Sequence, residues 1–343
     1  MMPVRAPVRS VPASSAQCEE TCVEPTRPPA RDRQVVVYIV GAGRSGSTLL
    51  ERALGAFPGH VNVGELVGLF HRTVTEDERC GCGAAFSACP FWREVGAQAL
   101  GGWDPERVAE LAGLKDRVAR QRHLYRLVVP RLASRQQARD LARYGEIHER
   151  LYRVAAAQVG AAVVVDASKG PAPALALRHA PGLDVRVLHL VRDVRGVAYS
   201  WSKPDVARPH ATRDAHQHMA SFSVARTAAR WSRVEVEALA MTRLARHSAT
   251  VRYEDLVADP GPTLIRALRE LGLPAPPSVD HVRGQVITLG PSHGIGGNPS
   301  RFQVGEVRLS ADESWRCRLG RRDRALTTAL GLPGLLGHGY PIG

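Results

Sequence analysis

The segment Gln34-Val-Val-Val-Tyr-Ile-Val40 and the residues just after it limit the fold more than any other part of this chain. An unbroken apolar and largely β-branched run suits a strand buried on both faces rather than one with a wet side. Gly41-Ala-Gly-Arg-Ser-Gly46 then reads as a turn. Ser47 and Thr48, with apolar Leu49, Leu50, Ala53 and Leu54 at helical spacing, open an amphipathic helix. Strand, glycine turn and helix N-terminus together form a cradle for an anion. Free backbone N–H groups and the positive end of the helix dipole converge there. Gly41, Gly43 and Gly46 let the backbone bend towards an oxyanion, and Ser47 and Thr48 add hydroxyls. The plainer alternative is a tight strand-to-helix turn that binds nothing.

Further strands are predicted at Ala162–Asp166, Val185–Val191 and Thr250–Tyr253, and helices over about 104–158, 213–247 and 262–272. Strands alternating with helices imply an α/β fold, a parallel sheet covered by helices on both faces. We expect one domain over 34–343 carrying a helical insertion at 104–158. Residues 1–33, rich in Pro, Ser, Ala and charge and without periodicity, are expected to be a disordered tail. No apolar run approaches the length of a membrane span. Arg5 and Arg9 are followed by no apolar segment, so no secretory signal is expected and the cytoplasm is the expected location.

The net charge of +13 raises the question of nucleic acid. Of the 46 basic residues only Lys115, Lys169 and Lys203 are lysines, and the arginines spread along the whole chain. Without a dense basic run interleaved with aromatics, no nucleic-acid partner is expected. The Arg-rich stretch that includes Arg117, Arg120, Arg122, Arg126 and Arg131 reads as a solvated helix face, or as a cap that attracts an anionic acceptor.

Gly41 and Gly46 hold the spacing of a nucleoside-triphosphate loop, G-x-x-x-x-G-K-[ST], but the Lys position is Ser47. The cationic side chain stands earlier, at Arg44. Loss of that Lys argues against a kinase or NTPase, which needs it on the β- and γ-phosphates together with Mg²⁺.

Gly43-Arg-Ser-Gly-Ser-Thr-Leu-Leu50 resembles the 5′-phosphosulfate loop of sulfotransferases that use 3′-phosphoadenosine-5′-phosphosulfate. In those loops, Pro-Arg/Lys-Ser-Gly-Thr-Thr, a Pro stands where this chain has Gly43 and a Thr where it has Ser47. The resemblance implies that Arg44, Ser45, Gly46, Ser47 and Thr48 hold the 5′-phosphosulfate and that no metal is expected as cofactor. A second segment, Val187 to Trp201, is similar to the family's 3′-phosphate motif, an Arg at a strand end followed eight residues later by a Ser, here Arg192 and Ser200. About two helical turns between them let both face one phosphate. An ordinary ion pair of Arg192 with Asp193 is the alternative. Val251-Arg-Tyr-Glu-Asp-Leu256 resembles the segment whose Tyr lies near the adenine, which points to Tyr253. Gly297-Asn-Pro-Ser-Arg-Phe302 and Trp315 resemble the tail of many bacterial members, and Arg301 there is a candidate phosphate contact.

Sulfuryl transfer needs a base for the acceptor hydroxyl and cations for developing charge. Lys169, in Asp166-Ala-Ser-Lys-Gly-Pro171, stands just past a predicted strand end, where α/β sheets place ligands. The resemblance implies that it reaches the sulfonate. The Lys-x-His pattern of the cytosolic small-molecule members is absent, because Gly170 and Pro171 follow Lys169. Tyrosylprotein- and carbohydrate-type members use a Glu shortly after the first helix, and Val61-Asn-Val-Gly-Glu65 is similar to that segment. Glu65 is therefore the expected base, with His60 and His71 as competitors and Asp166 expected to orient Lys169 or Ser168. The implied acceptor is a small molecule, a carbohydrate, a lipid or a secondary metabolite.

Cys80-Gly-Cys82-Gly83 and Cys89-Pro90 precede Phe91-Trp92. Three thiolates suit zinc if His71, Cys317 or another group is a fourth ligand. A disulfide to Cys89 and a loop of free thiols packed by Trp92 stand as alternatives.

Overall fold

The computed structural model describes residues 32–204, 220–276 and 278–342. The expected tail lies outside them up to residue 31, as does the start of the helix expected at 213–247. At the centre is a parallel sheet of five strands: β1 (Gln34–Gly41), β2 (His60–Gly64), β3 (Val163–Lys169), β4 (Leu183–Val191) and β5 (Ser248–Arg252). Their order is β2-β3-β1-β4-β5. The chain leaves β1 towards one edge, builds β2 and β3 there, and crosses to build β4 and β5 on the other side. β1 is therefore flanked by strands from both excursions, and ligands settle at the carboxyl ends of strands at such a reversal.

The continuous apolar run of β1 is explained by burial on both faces. Val36, Tyr38 and Val40 join one core cluster, and Val37 and Ile39 join another. Alternate residues of a strand point to opposite faces, so both sets need a helical cover. On the first face lie the helices Pro90–Leu100, Pro105–Val118, Arg135–Ala157 and Pro171–Leu177. On the second lie Ser47–Gly55 and Pro260–Glu270. The stretch 104–158 thus supplies much of one layer, since Val108, Leu111, Leu151 and Tyr152 are buried beside Val36 and Val164. Its last helix starts on a capping box between Ser134 and Gln137, which satisfies two otherwise orphaned amides. Several of its arginines face acids of the same layer: Arg117 meets Asp140 at 2.8 Å, Arg143 meets Glu110 at 2.6 Å, and Arg120 pairs with Asp116.

Two parts of the architecture were not expected from the sequence. β2 forms from His60–Gly64, an edge strand too short to carry a pattern of its own. The Gly- and Pro-rich C-terminal stretch contains an antiparallel sheet of β6 (Val282–Arg283), β7 (Val286–Leu289) and β8 (Gly305–Arg308). Ile287 and Leu289 of β7 pack into the second core cluster, which brings the residues after it over the end of the first helix. No helix among the described residues is long and apolar enough to cross a membrane.

Candidate active site

The carboxyl ends of β1, β3 and β4 open into a cleft of about 800 Å³. Gly43, Arg44, Gly46, Ser47, Thr48, Glu65, Lys169, Arg192, Ser200 and Tyr253 all line it. These residues are scattered over more than half of the chain and come together only through the sheet.

The glycine turn enters the first helix with Gly46 as N-cap, at φ 92°. A Cβ at that position would lie 2.6 Å from the Tyr253 ring, so glycine is demanded twice, by backbone and by neighbour. Arg44 also has positive φ, 68°, a conformation costly for a side chain with a Cβ. Its guanidinium lies 5.1 Å from the Trp201 ring, and the indole N–H of Trp201 donates to the Gly43 carbonyl at 3.0 Å. Burial lowers the pKa of Arg44 and the nearby Glu65 carboxylate raises it, the first effect prevailing. Ser45 is buried behind the loop and, unlike its neighbours, does not line the cleft.

Arg192 stands directly after β4, and its surroundings answer the question of its partner. Asp193 caps the following helix through the Arg195 N–H at 2.8 Å and grips the Arg195 guanidinium at 2.7–3.2 Å. Arg192 instead turns to the cleft, donating to the carbonyls of Arg44 at 3.0 Å and Asp312 at 2.9 Å. Its guanidinium lies 4.5 Å from the Tyr253 ring, and the Asp312 carboxylate is 3.5 Å away. Three of these four contacts are to neutral groups, and the Asp312 carboxylate is the one anion that meets its charge.

Lys169 and Glu65 form an ion pair, and the ammonium also donates to the Ala167 carbonyl at 3.2 Å. Their side chains are only 17% and 20% exposed. Lys169 reaches this place because β3 breaks register there: Tyr38 pairs with Asp166, but Val40 pairs with Lys169. Its φ of 65° is the third positive value among the non-glycine residues described. Glu65 is fixed from the other side, its N–H donating to the Ile295 carbonyl at 2.7 Å. A Cβ on Gly297 would lie 3.0 Å from Thr48 Oγ1 and 3.2 Å from Glu65 Oε1, so the floor between loop and carboxylate is kept clear.

Two buried carboxylates hold this frame. Asp166 accepts from the Ser168 hydroxyl, from Ser168 N–H at 2.7 Å and from Tyr152 OH at 2.6 Å, while Val67 N–H donates to Ser168 Oγ at 2.9 Å. It orients Ser168, and through Ser168 the turn after Glu65. Glu51 accepts from Asn62 at 2.9 Å and from the Gly64 N–H at 2.7 Å, tying the first helix to the end of β2. Burial pushes the Asp166 carboxyl up to about 6 and that of Glu51 to about 7, against these hydrogen bonds.

Arg301 is not brought to the cleft. It is 2% exposed and donates to the carbonyls of Gly296 and Arg79, and burial lowers its pKa to about 10. It braces the wall rather than facing a ligand. His60 accompanies the Pro58 carbonyl and His71 accompanies Asp116, and among the described residues no histidine lines the cleft. Trp201, Arg72, Arg308 and Asp312 line it without having been singled out. Trp201 stood inside the quoted 3′-phosphate segment. The others carried no local signal, because their place depends on contacts remote in sequence.

A family model described as the sulfotransferase family matches residues 37–277. Among solved structures, the sulfotransferase domain from the Synechococcus PCC 7002 olefin synthase is 19% identical, with a TM-score of 0.49 over 92% of this chain and 98% of that one. The sulfotransferase from Alicyclobacillus acidocaldarius is 14% identical, with a TM-score of 0.33 over 87% of this chain and 95% of that one. A search of curated proteins returns no match. The family match spans the glycine loop, Glu65, Lys169, Arg192 and Tyr253, and this chain belongs to the sulfotransferase family.

Proposed function

We propose that the protein transfers the sulfuryl group of 3′-phosphoadenosine-5′-phosphosulfate to a hydroxyl of a carbohydrate, lipid or secondary-metabolite acceptor. The observation that carries the reading is the convergence in one cleft of an amide-lined helix N-terminus, the cations Arg44, Lys169 and Arg192 from three separate elements, and the Glu65 carboxylate. Gly43 and Gly46 let the Trp201 and Tyr253 rings pack directly on the loop, and Gly297 keeps a side chain out of the space between Thr48 and Glu65, which supports a loop shaped for a close backbone contact.

In this reading the backbone of Arg44 to Thr48, with the Ser47 and Thr48 hydroxyls, holds the 5′-phosphosulfate. Arg192 and Ser200 take the 3′-phosphate, and Tyr253 lies beside the adenine. The donor, when bound, supplies a sulfuryl group on a good phosphate leaving group. Arg44 and the helix dipole neutralise charge on the leaving phosphate, a task that needs no metal ion in this arrangement. Glu65 removes the acceptor proton as the hydroxyl oxygen attacks in line. Lys169 meets the transferring sulfonate, and in doing so shifts its ammonium away from Glu65. The carboxylate is then free to accept a proton in the state in which one must be taken.

The direct test is incubation with donor labelled in the sulfonate sulfur and a panel of sugar, lipid and phenolic alcohols. Release of adenosine 3′,5′-bisphosphate matched by label on an acceptor supports the reading. Hydrolysis of ATP with Mg²⁺, and no label transfer, would replace it with a kinase or NTPase.

A further inference from the structure

A second cluster of chemically competent side chains lies outside the cleft. Cys80, Cys82, Cys89 and His293 place their ligand atoms within 4.8 Å of one another. Cys82 Sγ and Cys89 Sγ are 3.8 Å apart, Cys89 Sγ lies 3.3 Å from His293 Nδ1, and Cys80 Sγ lies 3.7 Å from the same nitrogen. A tetrahedral zinc ion with sulfur at about 2.3 Å and nitrogen at about 2.0 Å requires edges of about 3.8 Å for S···S and about 3.5 Å for S···N. The three observed edges lie close to these values. A disulfide needs sulfurs about 2.05 Å apart and leaves the third thiol and the imidazole unexplained.

The four residues are held for this geometry by the chain around them. Cys80 receives a hydrogen bond on its carbonyl from Gly83 N–H at 2.8 Å and donates its own N–H to Ala84 at 2.8 Å, which folds Cys80 to Gly83 into a tight turn. That turn brings two thiols separated by one residue to the same side. His293 is fixed three ways. Trp92 Nε1 donates to its carbonyl at 2.7 Å, Gly81 N–H donates to the next carbonyl, of Gly294, at 3.0 Å, and the Phe91 ring stacks on the imidazole at 4.7 Å and 5°. Two of the sulfurs are buried.

We propose that Cys80, Cys82, Cys89 and His293 bind one Zn²⁺ as a closed, structural Cys₃His site. Four protein ligands leave no position open for water or substrate, so the ion works as a clamp. It joins the Cys loop to the segment that runs on to Ile295. Ile295 N–H donates to the Val63 carbonyl at 3.1 Å, and the Ile295 carbonyl receives the Glu65 N–H. The clamp therefore steadies the backbone that carries Glu65 and Gly297.

The test is metal analysis of the purified full-length protein, which is independent of turnover, so failure of the sulfuryl-transfer reading leaves it intact. The expected result is about one zinc per chain. Cobalt exchanged into the wild-type protein should give the visible bands of a tetrahedral, thiolate-ligated ion. Cys82→Ser and His293→Ala should each lose the metal, whereas Cys317→Ser, at an exposed thiol, should keep it. Wild-type protein with less than about 0.1 zinc per chain and no tetrahedral cobalt spectrum would overturn the proposal. So would a disulfide found among the three cysteines by mass spectrometry.

Discussion

The ammonium of Lys169 and the carboxylate of Glu65 are joined as an ion pair at the cleft, tying the end of β3 to the residue that follows β2. Each side chain is only about one-fifth exposed, so water screens the pair weakly. A single ammonium can neutralise either that carboxylate or an incoming sulfonate. In the proposed reaction, this competition would let donor binding release Glu65 as the base.

Glu65→Gln follows directly from that arrangement. The variant keeps the shape and the Ile295 hydrogen bond but cannot take a proton. Turnover should fall about 10²- to 10⁴-fold while the affinity for adenosine 3′,5′-bisphosphate stays near that of wild type. Parallel loss of both, read by rates and calorimetry, would remove Glu65 from the role of base.

Lys169 invites a comparison of two replacements. Both Lys169→Ala and Lys169→Gly lose the cation, and each should lower turnover about 10²- to 10³-fold. Residue 169 has φ 65°, however, which glycine adopts freely and alanine does not. The glycine variant should therefore be the more stable of the two by roughly 1 kcal/mol in urea unfolding. Equal stabilities would mean that the turn relaxes out of that conformation.

Asp312 stands 3.5 Å from Arg192 and 3.7 Å from Lys203, an acid where the 3′-phosphate is proposed to sit. Asp312→Asn removes a competing anion from a partly exposed position. Affinity for the 3′-phosphorylated nucleotide should rise about two- to fivefold, with little change for its 3′-dephospho analogue. Equal gains for both nucleotides would place the 3′-phosphate elsewhere.

Glu51 sets a pH dependence of stability. Burial raises its carboxyl from 4.5 to about 7. Between those values the native protein holds a proton that the unfolded chain has released, so stability falls as pH rises through that window. Asp166, raised from 3.8 to about 6, contributes with the same sign. Glu51→Gln should flatten the decline and gain on the order of 1–3 kcal/mol over wild type at about pH 8, as read from urea midpoints. An unchanged slope would show that the carboxyl is not protonated in the native state.

Those parts of the site that follow one another along the chain were legible in the sequence. A strand, turn and helix start within a few residues placed Arg44 to Thr48, and Arg192 and Ser200 followed a strand end at a spacing that a helix converts into a shared face. Tyr253 was pointed to by the resemblance of Val251 to Leu256 to a family segment, and it stands at the start of the helix after β5. What escaped depends on distant partners. β2 exists because Gly64 and His60 pair with β3, a hundred residues on. The position of His293 beside three cysteines, and that of Asp312 beside Arg192, is set by the return of the C-terminal stretch over the first helix. Arg301 misled in the opposite way: its motif placed it near the site, but local burial turned its guanidinium to backbone carbonyls.

The central claim is that this cleft is built for a 3′-phosphorylated adenosine nucleotide, and calorimetric titration with adenosine 3′,5′-bisphosphate, beside ATP with Mg²⁺, tests it most directly. The account predicts tight binding of the bisphosphate, weak binding of ATP, and at least about a tenfold loss of bisphosphate affinity in Arg192→Ala, as expected for a charge-assisted contact. Preference for ATP with Mg²⁺, or a bisphosphate affinity indifferent to Arg192, would contradict it.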